Sequence, residues 1–481
     1  MNVVFCQPDF FIYLGQAHLA AALRAAGHRA RVLIARDPAA LAANVRAARD
    51  DLVAFSLTTG RERWARQAMQ QVRQTAPHVR LIAGGPHATF FPEFIEQAPV
   101  DALCRGEGEA AIVAYADGED PARIANLWAR VNGKIVRNDL GPLPDLNVLP
   151  PPDLRVYFDA YPRLRRFYRH VYPMIAGRGC PNACAYCFNE AYRALHRGLG
   201  PVVRRRSFAH LAAEIEEARA RYGITQVYFQ DDCFLSPPSW FADFAAEYPR
   251  RIGLPYYCLV RAETIDEPTA QRLADSGCAG VTIGVETGDE TVRRELLNKP
   301  LSNRDIVAAV ERLHRRGVSV QTDIIFGLPG LGLDEALQSY RFVNELRSDF
   351  GWSSLFNPYP GTAIERTVQT LVADETSRWS YRTRELPASY FDDTILTFPH
   401  RREIINLHRL FALAVRLRLT EKTVRRLIAL PLDPLYRAVR AVTFHLGIRR
   451  IKRLPWPAFL AEAARVGASA LCFRRQSGIS R

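Results

Sequence analysis

Short apolar runs and helix-spaced apolar positions alternate through the first 110 residues: NVVFC, a helix over 16–26, ARVLIA, a helix over 39–49, LVAFSL, a helix over 61–75, VRLIAGG and then DALCRGEGE. Strands separated by helices of roughly 10–15 residues predict a parallel, doubly wound sheet. Such sheets take ligands in the crevice outside the carboxyl ends of their strands. Small and polar residues stand at those ends here: Pro8 and Asp9, then Ser56 to Gly60, then Gly84 to Thr89, then Gly106 to Glu109. The Gly84-Gly85 pair lets backbone approach a bulky ligand, and the Ser56 and Thr58 hydroxyls can bond to its amides or phosphate. His87, Gly106 and Glu107 complete this candidate rim. Glycine-rich strand ends are also ordinary turns. Nothing spells Gly-x-Gly-x-x-Gly, which argues against a nicotinamide or flavin site.

A second signal lies in MIAGRGCPNACAYCFN, residues 174–189. Cys180, Cys184 and Cys187 are spaced Cys-x3-Cys-x2-Cys on one tight loop. Three thiolates can each hold one iron of a 4Fe-4S cube and leave the fourth iron open to an outside ligand. A structural zinc site needs a fourth Cys or His at short spacing, and His170 and His196 do not form a finger or ribbon pattern with the three. Nine cysteines is an odd number, and clustering of three of them fits a metal site in a reducing compartment better than a disulfide framework.

The cysteine loop resembles that of the radical S-adenosylmethionine (SAM) enzymes, in which the open iron binds the amino and carboxylate groups of SAM. The resemblance continues downstream. YFQDDCF resembles the second strand of that partial β/α barrel, with Asp231 and Asp232 at its carboxyl end. YCLVRAETID, GVTIGVETGDE followed by LNKP, DIIFGLPG and FNPYPGT resemble the third to sixth strands. The resemblance implies that Cys180, Cys184 and Cys187 ligate the cluster and serve catalysis. Tyr186, Asp231, Asp232, Arg261 and Glu286 are then candidates for contact with SAM, with Lys299 just beyond. Helices over 211–221, 267–276, 304–316 and 334–347 have apolar i, i+3, i+4 spacing, as a barrel's outer ring requires. Cys233, beside Asp232, is one more rim residue to follow.

An α/β domain joined to this barrel through a proline-rich segment, LGPLPDLNVLPPPDL, is similar to the layout of the cobalamin-dependent members of the family. The resulting expectation is an α/β chain in four parts. These are a Rossmann-like cobalamin-binding domain over 1–139, a linker over 140–170, a partial (β/α)6 barrel over 171–365 and a basic, mainly helical region over 366–481. Asp-x-His-x-x-Gly, whose His ligates the lower face of cobalt in cobalamin-dependent mutases, does not occur. The resemblance therefore implies a cobalt with no such His below it.

What the resemblance implies about reaction is methylation of an unactivated carbon of an apolar or lipid-like metabolite, through a 5′-deoxyadenosyl radical and methylcobalamin. An external electron donor of the flavodoxin or ferredoxin type would be needed. Ring closure or rearrangement without net methyl transfer is the competing outcome. A cobalamin or iron-sulfur sensor is the non-enzymatic alternative, against which the intact cysteine triad and the GVETG and YPGT rim motifs speak.

Charge alters the picture only at the end of the chain. Of 64 basic and 50 acidic residues, 18 and 4 fall in 401–481, so that stretch carries +14 and the first 400 residues, with 46 of each, are neutral. Helices expected over 401–419, 421–429, 435–446 and 457–467 mix Leu, Val, Phe and Trp with Arg. Basic amphipathic helices suit an anionic membrane surface. The alternatives are a helical cap with a solvated arginine face, or the arginine bias of a GC-rich coding sequence, which only four Lys would suggest. A Leu- and Trp-rich tail with no RNA-binding module argues against nucleic acid. No run of about eighteen apolar residues and no signal-like start occur, so a cytoplasmic protein is expected, with peripheral contact at the inner membrane face.

Overall fold

The computed structural model describes residues 1–383, 385–387, 393–451, 455–457 and 460. The chain divides into two compact units: Met1–Arg165 together with Ala191–His210, and Arg166–Glu190 together with Leu211 onward.

The first unit holds a seven-stranded sheet in the order β2-β1-β3-β4-β5-β6-β7. Its strands are β1 (Asn2–Gln7), β2 (Arg29–Ile34), β3 (Leu52–Ser56), β4 (Arg80–Gly84), β5 (Ala102–Cys104), β6 (Leu127–Val131) and β7 (Lys134–Arg137). The first five are parallel and the last two antiparallel. Crossover helices Leu14–Ala25, Pro38–Ala48 and Glu62–Thr75 lie within a residue or two of the sequence expectation. Strands covered on both faces must be apolar throughout, and Val3, Val4, Phe5, Leu52, Val53, Phe55, Leu81 and Ile82 are all buried. Asp37 caps the second helix by accepting from the Ala39 and Ala40 N–H groups. The β6–β7 hairpin turns on Asn132-Gly133, both with positive φ, as a two-residue turn between twisted strands favours.

In the second unit six parallel strands form one open sheet in strict sequence order, β13-β12-β11-β10-β9-β8. They are β8 (Tyr172–Met174), β9 (Val227–Phe229), β10 (Tyr256–Val260), β11 (Cys278–Glu286), β12 (Ser319–Phe326) and β13 (Phe350–Leu355). Helices Phe208–Tyr222, Pro238–Arg251, Glu267–Asp275, Asn303–Arg315 and Leu333–Leu346 intervene. Along β12 every second residue is buried while Ser319, Gln321, Asp323 and Ile325 are less covered. This is the period of a strand with one face under helices and the other on a barrel interior. Arg293, wholly buried, donates to the carbonyls of Val285, Thr287 and Leu301 and to Asn303 Oδ1, tying down the carboxyl end of β11.

Edge strand β13 is covered by the helix Arg401–Leu417, where Ser353 Oγ lies 2.9 Å from His408 Nδ1. A Cβ at Gly351 would stand 2.9 Å from the Phe411 ring, so glycine sets how closely that helix approaches. Helices Glu421–Ile428 and Asp433–Ile451 follow. The C-terminal helices thus pack on the edge of this sheet. The helix expected over 457–467 lies mostly outside the described residues. Among those described, no helix is long and apolar enough to cross a membrane.

Candidate functional site

The cysteine loop follows β8 and is held from two sides. Ala185 N–H donates to Leu297 O at 2.9 Å, Asn298 Nδ2 to Ala183 O at 2.7 Å, and Ile364 N–H to Ala185 O at 3.0 Å. LNKP and the turn after YPGT are therefore the clamps of the loop. Cys184 is buried, while Cys180 and Cys187 are partly exposed.

Each sulfur has one side-chain N–H donor: Asn182 Nδ2 at 3.4 Å from Cys180, Arg261 Nη1 at 3.5 Å from Cys184, and Asn189 Nδ2 at 3.6 Å from Cys187. Such donors stabilise thiolate and tune the potential of a cluster. Hydrogen bonding from Cys233, then from Asn182, brings the Cys180 thiol down to about 6 against an opposing effect of burial. Burial pushes the Cys187 thiol up to about 11. Among the described residues no three His, Cys, Asp or Glu side chains converge at single-ion spacing. A cube asks for something different, one thiolate on each of three irons. A clamped loop whose three thiols each have a donor fits that group.

Glu286 ends β11 with φ +65°, at the point where its register with β12 shifts. A non-glycine residue held there is strained, as functional positions often are. Its Oε1 accepts from Tyr186 Oη and Lys299 Nζ, both at 2.8 Å, and Lys299 also donates to Gly284 O at 2.6 Å. Both donors fall on Oε1, so Oε2 is left to accept from an ammonium group. Burial, then the Glu286 charge, pushes the Tyr186 phenol well up, so it remains a donor. Arg261 pairs with Glu263 as well as reaching Cys184. Asp231, by contrast, is buried and its Oδ2 accepts the Ala176 N–H at 2.9 Å, a bond that fastens β9 to the strand before the cysteine loop. Asp232 is exposed.

Sequence reasoning passed over Asn182, Asn189 and Asp323. The first two follow Cys180 and Cys187 by two positions, so a repeated Cys-x-Asn was a visible signal. Asp323 on β12 is raised to about 7, first by burial, then by the Glu286 charge; Gln321, donating to it at 2.8 Å, and Lys299 oppose the shift. A carboxyl raised on folding favours the native state when protonated. Its contribution is complete below the unfolded value, 3.8, and is lost as pH rises through about 7. Asp323→Asn is expected to flatten the decline in melting temperature across that window, measured by calorimetry at constant ionic strength.

In the first unit, Ser56, Thr58, Gly84, Gly85, His87, Gly106 and Glu107 stand at the carboxyl rim of the parallel strands. The β3 and β4 ends are zipped together by Leu57 N–H to Gly84 O at 2.8 Å and His87 N–H to Leu57 O at 3.0 Å. Gly85 has φ +92°, and a Cβ there would lie 2.9 Å from Leu57 O, so only glycine permits this closeness. Gly85→Ala is expected to cost about 1–3 kcal/mol, read as a lower melting temperature together with poorer retention of hydroxocobalamin after desalting. His87 lies 3.1 Å from Thr59 Oγ1, and burial lowers its pKa, which favours the neutral imidazole. Thr58 is exposed and Ser56 partly so. A rim with two free-standing hydroxyls and paired glycines fits a large flat ligand. Glu107 behaves differently: its carboxylate is taken by Arg204 and by Tyr192 Oη, the latter at 3.0 Å. These partners come from the returning stretch 191–210, which no sequence pattern announced.

A six-stranded open barrel carrying three donor-supported thiols after its first strand, in one chain with a doubly wound ligand-binding sheet, defines an iron-sulfur radical enzyme with a corrinoid-type domain. Comparison with known proteins agrees. Residues 174–343 match the model of the radical SAM superfamily, and residues 4–116 that of the B12 binding domain. The chain is 25% identical over 325 residues to an uncharacterized methyltransferase of Pyrococcus horikoshii, covering 65% of this chain and 68% of that protein. It is 25% identical over 223 residues to the bacteriochlorophyllide d C-12(1)-methyltransferase of Chlorobaculum tepidum, covering 46% and 47%. With the cobalamin-dependent radical SAM methyltransferase TokK of Streptomyces tokunonensis it shares 26% over 301 residues, covering 58% and 42%. The chain thus spans under half the length of the last two. In fold it is similar to the radical SAM methyltransferase TsrM of Kitasatospora setae, with a TM-score of 0.66, 19% identity, and coverage of 80% and 79%. The chain thus carries a radical SAM domain and a B12-binding domain, and a cobalamin-dependent radical SAM methyltransferase is among the proteins it resembles. The two matched domains are those that hold a 4Fe-4S cluster with SAM, and cobalamin.

Proposed function

We propose that this enzyme transfers a methyl group to an unactivated carbon of an apolar, lipid-like small molecule, with reducing equivalents from a flavodoxin- or ferredoxin-type donor. The observation that carries the reading is the union, in one chain, of the donor-supported cysteine loop with a glycine-rich B12-type rim. The methyltransferases among its relatives support it. When bound, the cluster and SAM supply a carbon radical and cobalamin supplies a transferable methyl group.

The residues of this chain do the placing. Cys180, Cys184 and Cys187 hold three irons, and Asn182, Arg261 and Asn189 steady their sulfurs. Glu286 Oε2 accepts from the SAM ammonium, with Lys299 and Tyr186 fixing the carboxylate from the other oxygen. Asp232 lies at the open rim beside Asp231, which serves the backbone instead. Ser56, Thr58, Gly84, Gly85, His87 and Gly106 receive the corrinoid, while Glu107 acts through Arg204 and Tyr192 to hold the β5 end.

The test is anaerobic turnover with methyl-labelled SAM, iron and hydroxocobalamin on panels of isoprenoid and polyketide-like acceptors, followed by mass spectrometry. A labelled product heavier by about one methylene, with 5′-deoxyadenosine, is expected. A product of unchanged mass with the same nucleoside would replace methyl transfer by cyclisation or rearrangement.

A further inference from the structure

Among the described residues, three large apolar side chains of the first unit are exposed: Met1, Phe11 and Val148. Met1 precedes β1 and Val148 lies in the proline-rich segment, so Phe11, 47% exposed, is the one at the carboxyl rim of the parallel strands. It sits in the loop after β1, and the order β2-β1-β3 makes that loop one wall of the crevice where such sheets take ligands. Single exposed apolar residues are ordinary on a protein surface. This one is carried by a loop that buried side chains fix. Gln7, fully buried, donates through Nε2 to Asp9 O at 2.6 Å and Phe11 O at 2.7 Å, and its Oε1 accepts from Tyr157 Oη at 2.8 Å. Tyr13 Oη donates to Asp9 Oδ2 at 3.0 Å, and Arg61, from the loop after β3, donates to Asp9 Oδ1 at 2.9 Å. Phe10 packs edge-on against Tyr161, with ring centres 5.6 Å apart. Of two successive phenylalanines, one is used by the core and the other is held out over the rim.

The match of residues 4–116 to the B12 binding domain says what would cover that ring. A corrin is a broad, flat macrocycle, and an aromatic ring laid against it buries apolar area on both partners. The position in sequence points the same way. Asp9 stands two places before Phe11, the spacing of the Asp and His in Asp-x-His-x-x-Gly, and a glycine follows one place late at Gly15. Phenylalanine therefore stands where that motif has its cobalt ligand, and a phenyl ring has no lone pair to give a metal. Asp9, with Tyr13 and Arg61 on its carboxylate, is committed to holding the loop.

We propose that Phe11 packs beneath the corrin ring, in the place where the cobalamin-dependent mutases put their histidine, and leaves that side of the cobalt without a ligand and closed to water. The inference rests on the corrinoid reading of the first unit and adds to it the residue that faces the metal. Its test reads binding and the electronic state of the cobalt and needs no turnover, so it can fail while that reading stands.

The full-length protein, uniformly labelled with the heavy nitrogen isotope, would be loaded with unlabelled hydroxocobalamin, desalted, reduced to the cob(II)alamin state and studied by electron paramagnetic resonance. Wild-type protein is expected to show cobalt lines with no nitrogen splitting. Phe11→His should split each line in two, the mark of a labelled imidazole from the protein, whereas the cofactor's own unlabelled base would split it in three. Phe11→Ala is expected to bind hydroxocobalamin about tenfold more weakly, the loss that half a phenyl ring of buried area implies. Circular dichroism and melting temperature would show that these variants of an exposed side chain keep the fold. Three results would overturn the assignment while the corrinoid reading stands: nitrogen splitting already present in the wild type, Phe11→His that holds the corrinoid without the two-line pattern, or Phe11→Ala with wild-type affinity. Wild-type protein that keeps no corrinoid would remove the reading and the assignment together.

Discussion

Cys184→Ala is expected to abolish 5′-deoxyadenosine formation and to leave the reconstituted protein short of iron. Cys184 is the buried member of the triad, receives Arg261 at 3.5 Å, and sits beside the Ala183 and Ala185 contacts that clamp the loop. A cube with two protein thiolates has two open irons, and the geometry that offers one of them to SAM is lost. The iron count and the visible absorption of the cluster after anaerobic desalting check the first part, and nucleoside chromatography the second. Full iron loading with wild-type nucleoside yield would remove Cys184 from the ligand set. Cys233→Ala is the control. It deletes a donor to Cys180 and no proposed ligand, so iron loading is expected to persist.

The other large effect is expected from Glu286→Gln. The Glu286 and Lys299 side chains are 10% and 5% exposed, and the amide takes from the buried Lys299 ammonium the carboxylate it pairs with. Breaking a buried pair in this way costs about 3–5 kcal/mol. The same substitution weakens the acceptor offered to SAM, and a misplaced reactant loses about 10²-fold in rate. Stability and catalysis can be told apart with Glu286→Gln/Lys299→Met, which removes both charges. The double variant is expected to regain most of the melting temperature and to remain deficient in kcat/KM for SAM. Recovery of both would make Glu286 a purely structural residue.

Much of this was legible in the chain. Parallel strands buried on both faces need unbroken apolar runs, and β1, β3 and β4 show them, so the doubly wound sheet was open to reading. Glycines and hydroxyls gather where such strands end. The cysteine spacing is local, and local chemistry is what sequence displays best. The Asn132-Gly133 turn was equally open, and with it the β6–β7 hairpin that extends the sheet with antiparallel strands.

Tertiary pairing was hidden. Asp231 and Asp232 are adjacent and chemically identical, yet one is spent on Ala176 N–H and the other is exposed, a difference set by the direction of two successive side chains after β9. Glu107 looked like a ligand to a cofactor because it stands just past the carboxyl end of β5, where such sheets bind. Its partners, Tyr192 and Arg204, lie 85 and 97 positions away. The pairing of Glu286 with Tyr186 spans 100 positions. Contacts of that reach arise only once both elements are placed.

The return of residues 191–210 to the first unit bears on how such a protein can have been assembled. A domain that begins and ends at one boundary can be lost, gained or exchanged by a single recombination event. Here the chain leaves the first unit after residue 165, comes back at 191 and leaves again after 210. Swapping the corrinoid module for one from a relative would therefore need two segments exchanged together through three cuts, the second segment taking Tyr192 and Arg204 along with the Glu107 they hold. A graft cut only at residue 165 would bring a foreign acid to a resident arginine. In engineering chimaeras, as in descent, the two halves are expected to travel together.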